Sequence, residues 1–243
     1  MCTVTYISPS NGHFILTSNR DEQANRSAKQ LVTQEQYGHQ LMFPQDSAAG
    51  GTWIAASNSQ RVVCLLNGAF EAHRPEPPYR LSRGIMVLES FGYHKPLDFF
   101  QQYDFFGIEP FTLIMADVME LWELRWDGSH LFFKELNPRE PHIWSSSTLY
   151  PEPIRQKRLE WFSGWWKQGR RYELEEVLAF HRTAGTGDHR NDVVMNREGV
   201  VQTVSISSIE KMPKEVYLRH FDLITAASFA AKMEIKSELV ESN

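Results

Sequence analysis

Residues 1–22 read MCTVTYISPSNGHFILTSNRDE, and the fold turns on this stretch. Val4 and Tyr6 alternate with Thr3, Thr5 and Ile7, the period-two pattern of a strand with one side chain in two on each face. Pro9-Ser10-Asn11-Gly12 supplies turn chemistry, and His13–Thr17 reads as the returning strand. The chain therefore opens with a hairpin that carries Cys2 at its outer end. A hairpin brings its two outer ends together, so Asn19-Arg20-Asp21-Glu22 is expected beside Cys2.

Thr52–Ala56 and Arg61–Leu66 form a second predicted hairpin, preceded by Gly50-Gly51, a pair suited to an unusual backbone or a close approach. After Pro75–Pro78 the period changes: Leu81, Ile85 and Leu88 share one face of a helix, and Pro96–Tyr103 suits another. Strands are expected at Phe111–Ala116, Leu121–Arg125 and Leu131–Glu135, with a turn at Asp127-Gly128, and a short one at His142–Ser145. Helices follow over Ile154–Gln168 and Leu174–Arg182. Strands return at Asp192–Asn196, Val200–Ile206 and Leu218–Ile224. Strand and helix blocks joined by short links indicate an α+β protein with largely antiparallel sheets, rather than the strict alternation of a parallel α/β fold. A single domain over residues 1–233 with a polar tail over 234–243 is the expected organisation.

Composition narrows the function classes. The 243 residues carry 25 Lys+Arg against 30 Asp+Glu, a net charge of −5, with 42% apolar and 23% charged residues. Mild acidity without a basic stripe argues against a nucleic-acid partner. Polar residues after position 7 interrupt the uncharged N-terminus, so it does not read as a signal peptide, and no segment reaches the ~20 apolar residues of a membrane span. A cytoplasmic protein is expected. The two cysteines, Cys2 and Cys64, make neither a disulfide framework nor a zinc site.

Cys2 is the first chemical candidate. With Met1 removed, one residue offers a thiol of pKa ~8.5 and an α-amine of pKa ~7.7–8.0 able to act as its base. Taken alone, Cys2 reads more readily as a small residue at a strand start. A carboxylate in the neighbouring cluster would orient the amine, and an arginine would lower the thiol pKa; the same cluster also reads as surface ion pairs.

Met1-Cys2-Thr3, Asn19-Arg20-Asp21-Glu22, Gly50-Gly51-Thr52-Trp53, Leu66-Asn67, Ser82-Arg83-Gly84 and Gly187–Val194 with Arg190 occur in an order that resembles the NRDE family, also called the transport and Golgi organisation protein 2 family. The resemblance spans residues 1 to about 206. It implies an N-terminal-nucleophile hydrolase-like fold, a four-layer αββα sandwich of two antiparallel sheets flanked by helices. The nearest chemistry it implies is that of cysteine enzymes cleaving linear amides, such as bile-salt hydrolase and penicillin V acylase. By that resemblance Cys2 is the nucleophile, Asp21 its contacting aspartate, Asn67 an oxyanion-hole donor, and Arg190 the distant arginine closing the site. The acylases' early arginine falls on Ser18, leaving Arg20 as the nearest substitute, and their second asparagine falls near Ser146, where a hydroxyl would stand in. Asp192 replaces a family serine and would disfavour a thiolate if it faced the site.

Asn19 and Trp53 complete the expected pocket wall, although Trp53 better suits a sheet core or sheet face. Trp161, Phe162, Trp165 and Trp166 suit packing against a sheet, a ligand or a partner subunit. His181, Asp188 and His189 match no metal-ligand spacing, and no cofactor motif occurs. Cys64 reads as a buried core residue. The expected function is cleavage of a small-molecule amide through a Cys2 thioester. The alternative is a carrier of a hydrophobic ligand, haem or lipid, on the same fold; a homo-oligomer fits either.

Overall fold

A computed structural model describes residues 3–28, 30–117, 119–169 and 173–236. The opening hairpin pairs β1 (Thr3–Ser10) with β2 (His13–Glu22), in register from Thr3 opposite Asn19 to Ile7 opposite Ile15. Gly12 takes φ +72° in its turn. The returning strand runs past Thr17, so the Asn19–Glu22 cluster lies on the strand itself.

Seven strands follow one another in sequence as a second antiparallel sheet: β3 (Leu31–Gln36), β4 (His39–Pro44), β5 (Ile54–Ser57), β6 (Val62–Asn67), β7 (Phe111–Ala116), β8 (Leu121–Trp126) and β9 (Leu131–Leu136). The first sheet is completed from the C-terminal half. Its order is β10 (His142–Ser145), β1, β2, β12 (Val201–Lys211), β13 (Glu215–Asp222) and β14 (Ser228–Glu234), with the two-residue β11 (Asn196–Arg197) beside β12.

The core between the sheets takes Val4, Tyr6, Leu16, Ile209 and Leu218 from the first sheet against Ile54, Cys64 and Ile114 of the second. The opposite face of the first sheet, with Ile7, Ile15 and Ile206, packs against α3 (Glu152–Trp166) and α4 (Leu174–Thr183). On α4, Leu174, Val177, Leu178 and His181 are buried at spacings of three and four, one face of the helix. Each large apolar side chain so buried contributes roughly 1.5–3 kcal/mol of transfer free energy. The outer face of the second sheet is covered by α1 (Arg83–Glu89) and α2 (Pro96–Gln102), through Met86, Val87, Phe99 and Phe100. The order helix, sheet, sheet, helix is the expected αββα sandwich.

Three readings are corrected. The β3–β4 hairpin was not expected; its two-residue turn has Tyr37 and Gly38 at φ 54° and 78°, and Tyr37 stands where Asn or Asp would have signalled it. β14 was also missed, because Ala230, Ala231, Lys232 and Glu234 are poor strand formers held by pairing with β13. Residues Asp192–Met195, expected as strand, form a closed loop. The Asp192 carboxylate accepts from the amides of Thr186 and Gly187 at 2.9 Å each, and Val193 N–H donates to the Ala184 carbonyl, so ladder pairing begins only at Asn196. The polar tail lies, from residue 237, outside the described residues.

Candidate active site

The period-two rule decides how the end of β2 is used. Asn19 and Asp21 face the helical layer, while Arg20 faces the second sheet.

Asn19 is fully buried and every polar atom of its amide is engaged. Its Nδ2 donates to the carbonyls of His181 at 3.0 Å and Val193 at 2.9 Å, which leaves Oδ1 as acceptor, 2.5 Å from His181 Nδ1. His181 Nδ1 therefore carries a proton. Burial, with Arg158 adding to it, pushes the imidazole pKa down to about 3, so His181 is neutral and its Nε2 accepts from the Thr5 hydroxyl at 2.8 Å. Asn19, expected on the pocket wall, instead ties β2 to the end of α4. The structure thus gives His181 a structural role.

Asp21 is 2% exposed. Its Oδ2 accepts from the Tyr150 hydroxyl at 2.7 Å and its Oδ1 from the Thr203 hydroxyl at 2.5 Å. The Tyr150 ring lies beneath the Arg158 guanidinium, 3.7 Å from the ring centroid. Arg158, fully buried on α3, donates to the Thr3 hydroxyl and to the carbonyls of Asn191 and Asp192, at 3.0 and 2.6 Å. Thr3, the residue that follows Cys2 in sequence, is thus fixed from the helical side; Cys2 itself lies outside the described residues. Sequence reasoning missed Tyr150, Arg158 and Thr203. Arg158 was detectable: it sits at four-residue spacing between Ile154 and Phe162, in line with the helix's buried aromatic.

On the other face lies a cavity of about 280 Å³ with Arg20, Trp53, Asn67, Arg26, Asp46 and Arg83 among its walls. Arg20 donates to Asp46 Oδ2 at 2.6 Å and to the Arg26 carbonyl, and its guanidinium stacks 4.2 Å above the Trp53 ring. Arg26 reaches the same Asp46 oxygen at 2.7 Å, and the amides of Ala48 and Ala49 bind Oδ1. Burial pushes the Asp46 carboxyl up, but Arg20, those two amides and Arg26 together outweigh it and hold its pKa below the usual carboxylate range. Burial lowers the Arg20 pKa, with Asp46 opposing. Trp53 Nε1 is buried without a hydrogen-bond partner among the described residues.

Glycines set the cavity's depth. Gly50 has φ +70°, and a Cβ on Gly51 would come within 2.3 Å of the Gly84 carbonyl carbon. The Gly50-Gly51-Thr52-Trp53 segment is therefore pressed onto the first turn of α1, with Thr52 N–H donating to the Gly84 carbonyl at 3.1 Å. Asn67 ends β6 at the cavity, and its carbonyl accepts from the Ser146 hydroxyl at 2.8 Å. Ser146 is 1% exposed and so holds Asn67 in place from behind. Arg83 pairs with Glu109 at 2.8 Å.

The structure thus brings Arg20, Trp53 and Asn67 together, sets Asp21 on the reverse of the same strand, and leaves Arg190 apart. Arg190 is exposed and pairs with Glu198 of the β11–β12 turn at 2.5 Å, away from the cavity. Asp192 likewise faces its own loop. Cys64 is a core residue whose thiol burial pushes up to about 12. Phe162 and Trp165 pack on Phe180 of α4, within the helical layer's core. Among the described residues no group of His, Cys, Asp and Glu suits a metal, and no helix is long and apolar enough to cross a membrane.

The profile of the family described as Transport and Golgi organisation 2 matches residues 1–219. The chain belongs to this family. Its two-sheet, helix-flanked sandwich is the fold of solved amide-bond hydrolases. The chain is similar to the C2A mutant of conjugated bile acid hydrolase from Clostridium perfringens, with TM-score 0.60 and 9% identity over 98% of this chain and 97% of that one. It is similar also to the Caenorhabditis elegans N-acylethanolamine-hydrolyzing acid amidase ortholog, with TM-score 0.60 and 14% identity over 86% and 92%. A second variant of the Clostridium hydrolase gives 0.57 and 10% over the full length of both. At these identities the likeness is one of fold. No curated protein sequence matches the chain.

Proposed function

We propose that this family member is an N-terminal-cysteine amidohydrolase cleaving a linear, non-peptide C–N amide bond in a small molecule. The observation that carries the reading is the two-sided end of the first hairpin. Asp21 is anchored by Tyr150 and Thr203 on one face, and a polar cavity edged by Asn67 opens on the other. In the proposed reaction, removal of Met1 frees the α-amine of Cys2, which takes the thiol proton. The thiolate attacks the amide carbonyl, and the Asn67 side-chain amide donates to the oxyanion. The C–N bond breaks, the leaving amine takes the proton from the α-ammonium, and a thioester remains. Water, deprotonated by the α-amine, then releases the acid.

The test is the intact mass of natively expressed protein before and after a cysteine-directed reagent, followed by an amide substrate screen. Loss of Met1 and alkylation of Cys2 ahead of buried Cys64 are expected. On any substrate found, Cys2→Ala abolishes turnover, and Asn67→Ala lowers kcat by ~10²–10³, the effect of removing one oxyanion donor. Retention of Met1 on folded protein overturns the reading. A carrier of haem or lipid is the second reading, favoured by the Arg20–Trp53–Asp46 wall, which contacts among described residues hold together. It expects haem or lipid binding that Cys2→Ala leaves intact.

A further inference from the structure

β6 ends at the Asn67 cavity. A second cavity, of about 550 Å³, lies at its other end, within the size range of small-molecule sites. Five chain segments meet there: the β3–β4 turn with Gly38 and His39, the β5–β6 turn with Gln60 and Arg61, residues 91–94 after α1, Asp117 after β7, and Lys236 after β14.

Its floor is rigid. Arg61, 5% exposed, donates to the carbonyls of Tyr93 at 2.7 Å and His94 at 2.6 Å, and its Nε lies 3.4 Å from Asp117. Lys236 is tied by its backbone N–H to the Asn58 carbonyl, and its ammonium donates to the Gly38 carbonyl at 3.2 Å. Two of its three N–H donors remain for a ligand. The imidazoles of His39 and His94 also line the cavity and donate to no described residue. Burial, then the charges of Lys236 and Arg61, lower the His39 pKa, with Glu35 opposing, so its ring offers a neutral N–H rather than a cation. Within the cavity, Asp117 is the carboxylate set against Arg61 and Lys236, a local positive surplus in a chain of net charge −5. Half-buried Tyr93 supplies an apolar wall, backed by the core residue Phe91. Gln60 holds φ +79°, a conformation that glycine adopts without strain, and its side chain sits at the cavity edge.

We propose that this cavity binds a small organic anion. Its carboxylate or phosphate-ester head meets Lys236, His39 and His94, and its flat apolar body lies against Tyr93. The Arg61 guanidinium, its donors engaged within the protein, contributes charge and a fixed floor. The site is separate from the hydrolase cavity, and its test does not depend on Cys2.

The experiment is titration of the ¹⁵N-labelled full chain with 2-naphthoate, phenyl phosphate and inorganic phosphate, followed amide by amide. Saturable shifts are expected at Gly38, Gln60 and Gly92 with one or both organic anions, and the stronger of the two identifies the head group. Inorganic phosphate alone is expected to bind at least tenfold more weakly. Lys236→Glu with His94→Glu, both surface side chains, is expected to weaken the organic anion at least tenfold; Lys236→Ala serves if the double variant misfolds. Shifts centred on Gly51 and Gly84, no saturation by either organic anion, or affinity unchanged in the variants overturns the proposal.

Discussion

Replacement of Asn19 by alanine separates a residue that touches substrate from one that holds the fold. The side chain donates two hydrogen bonds to carbonyls and accepts one from His181, all in a fully buried setting. Asn19→Ala leaves two carbonyls and one imidazole N–H without partners. At ~1 kcal/mol each, the lower end for buried groups left unsatisfied, the loss is about 3 kcal/mol. In a domain of this size 1 kcal/mol moves Tm by ~2–4 °C, so a fall of roughly 6–12 °C is expected in thermal unfolding followed by circular dichroism. Asn19→Asp sharpens the test. It keeps an acceptor for His181 but turns a donor into a carboxylate facing two carbonyls, so it should destabilise at least as much as alanine. A Tm within 2 °C of the parent for either variant, with activity lost, would refute the structural role and return Asn19 to the pocket.

Stability should fall on acidification before the carboxylates titrate. Burial lowers the His181 pKa to about 3 and the His220 pKa to about 4, so below ~6.5 the unfolded chain binds protons that the native state refuses. Stability then rises with pH, and up to ~2 kcal/mol per histidine is lost between pH 6.5 and 5; urea midpoints that are flat across this window would contradict it. Asp46→Asn leaves buried Arg20 without its carboxylate and should lose about 3 kcal/mol in urea unfolding, whereas Arg190→Ala, removing an exposed pair, should stay within ~0.5 kcal/mol. Gly51→Ala drives a Cβ into the Gly84 backbone and should lose roughly 1–3 kcal/mol, measured the same way; an unchanged midpoint would mean that the two segments can part freely.

Much of this was legible in the sequence because period and turn chemistry are local. Asn11-Gly12 and Asp127-Gly128 marked their hairpins, and Pro96 marked a helix start. The glycines at 50 and 51 announced a close approach whose partner, Gly84, was not local and so stayed hidden. The Asn19–Glu22 run was readable as a cluster near the chain start. The division of labour within it, Asn19 and Asp21 on one face and Arg20 on the other, follows from the strand continuing through it. That continuation is imposed by β12, far away in sequence. Arg190 looked functional by its place in a motif, yet Glu198, on the turn beyond β11, pairs with it. Tyr150, Arg158 and Thr203 converge on β1 and β2 from three separate segments, and no spacing rule joins them.

The pairing of β2 with β12 bears on synthesis of the chain. β2 is complete at Glu22, and its partner strand begins at Val201, about 180 residues later. At the ~5–20 residues per second typical of synthesis, the opening hairpin waits roughly 10–40 s for the strand that completes its sheet. During that interval an emerging chain already carries Asn19, Arg20, Asp21 and Glu22 but lacks Thr203, the residue that grips Asp21 from β12. A nascent chain stalled before Val201 would therefore display the whole family signature with a loose Asp21. In this protein the earliest residues to be made are among the last to be locked in place.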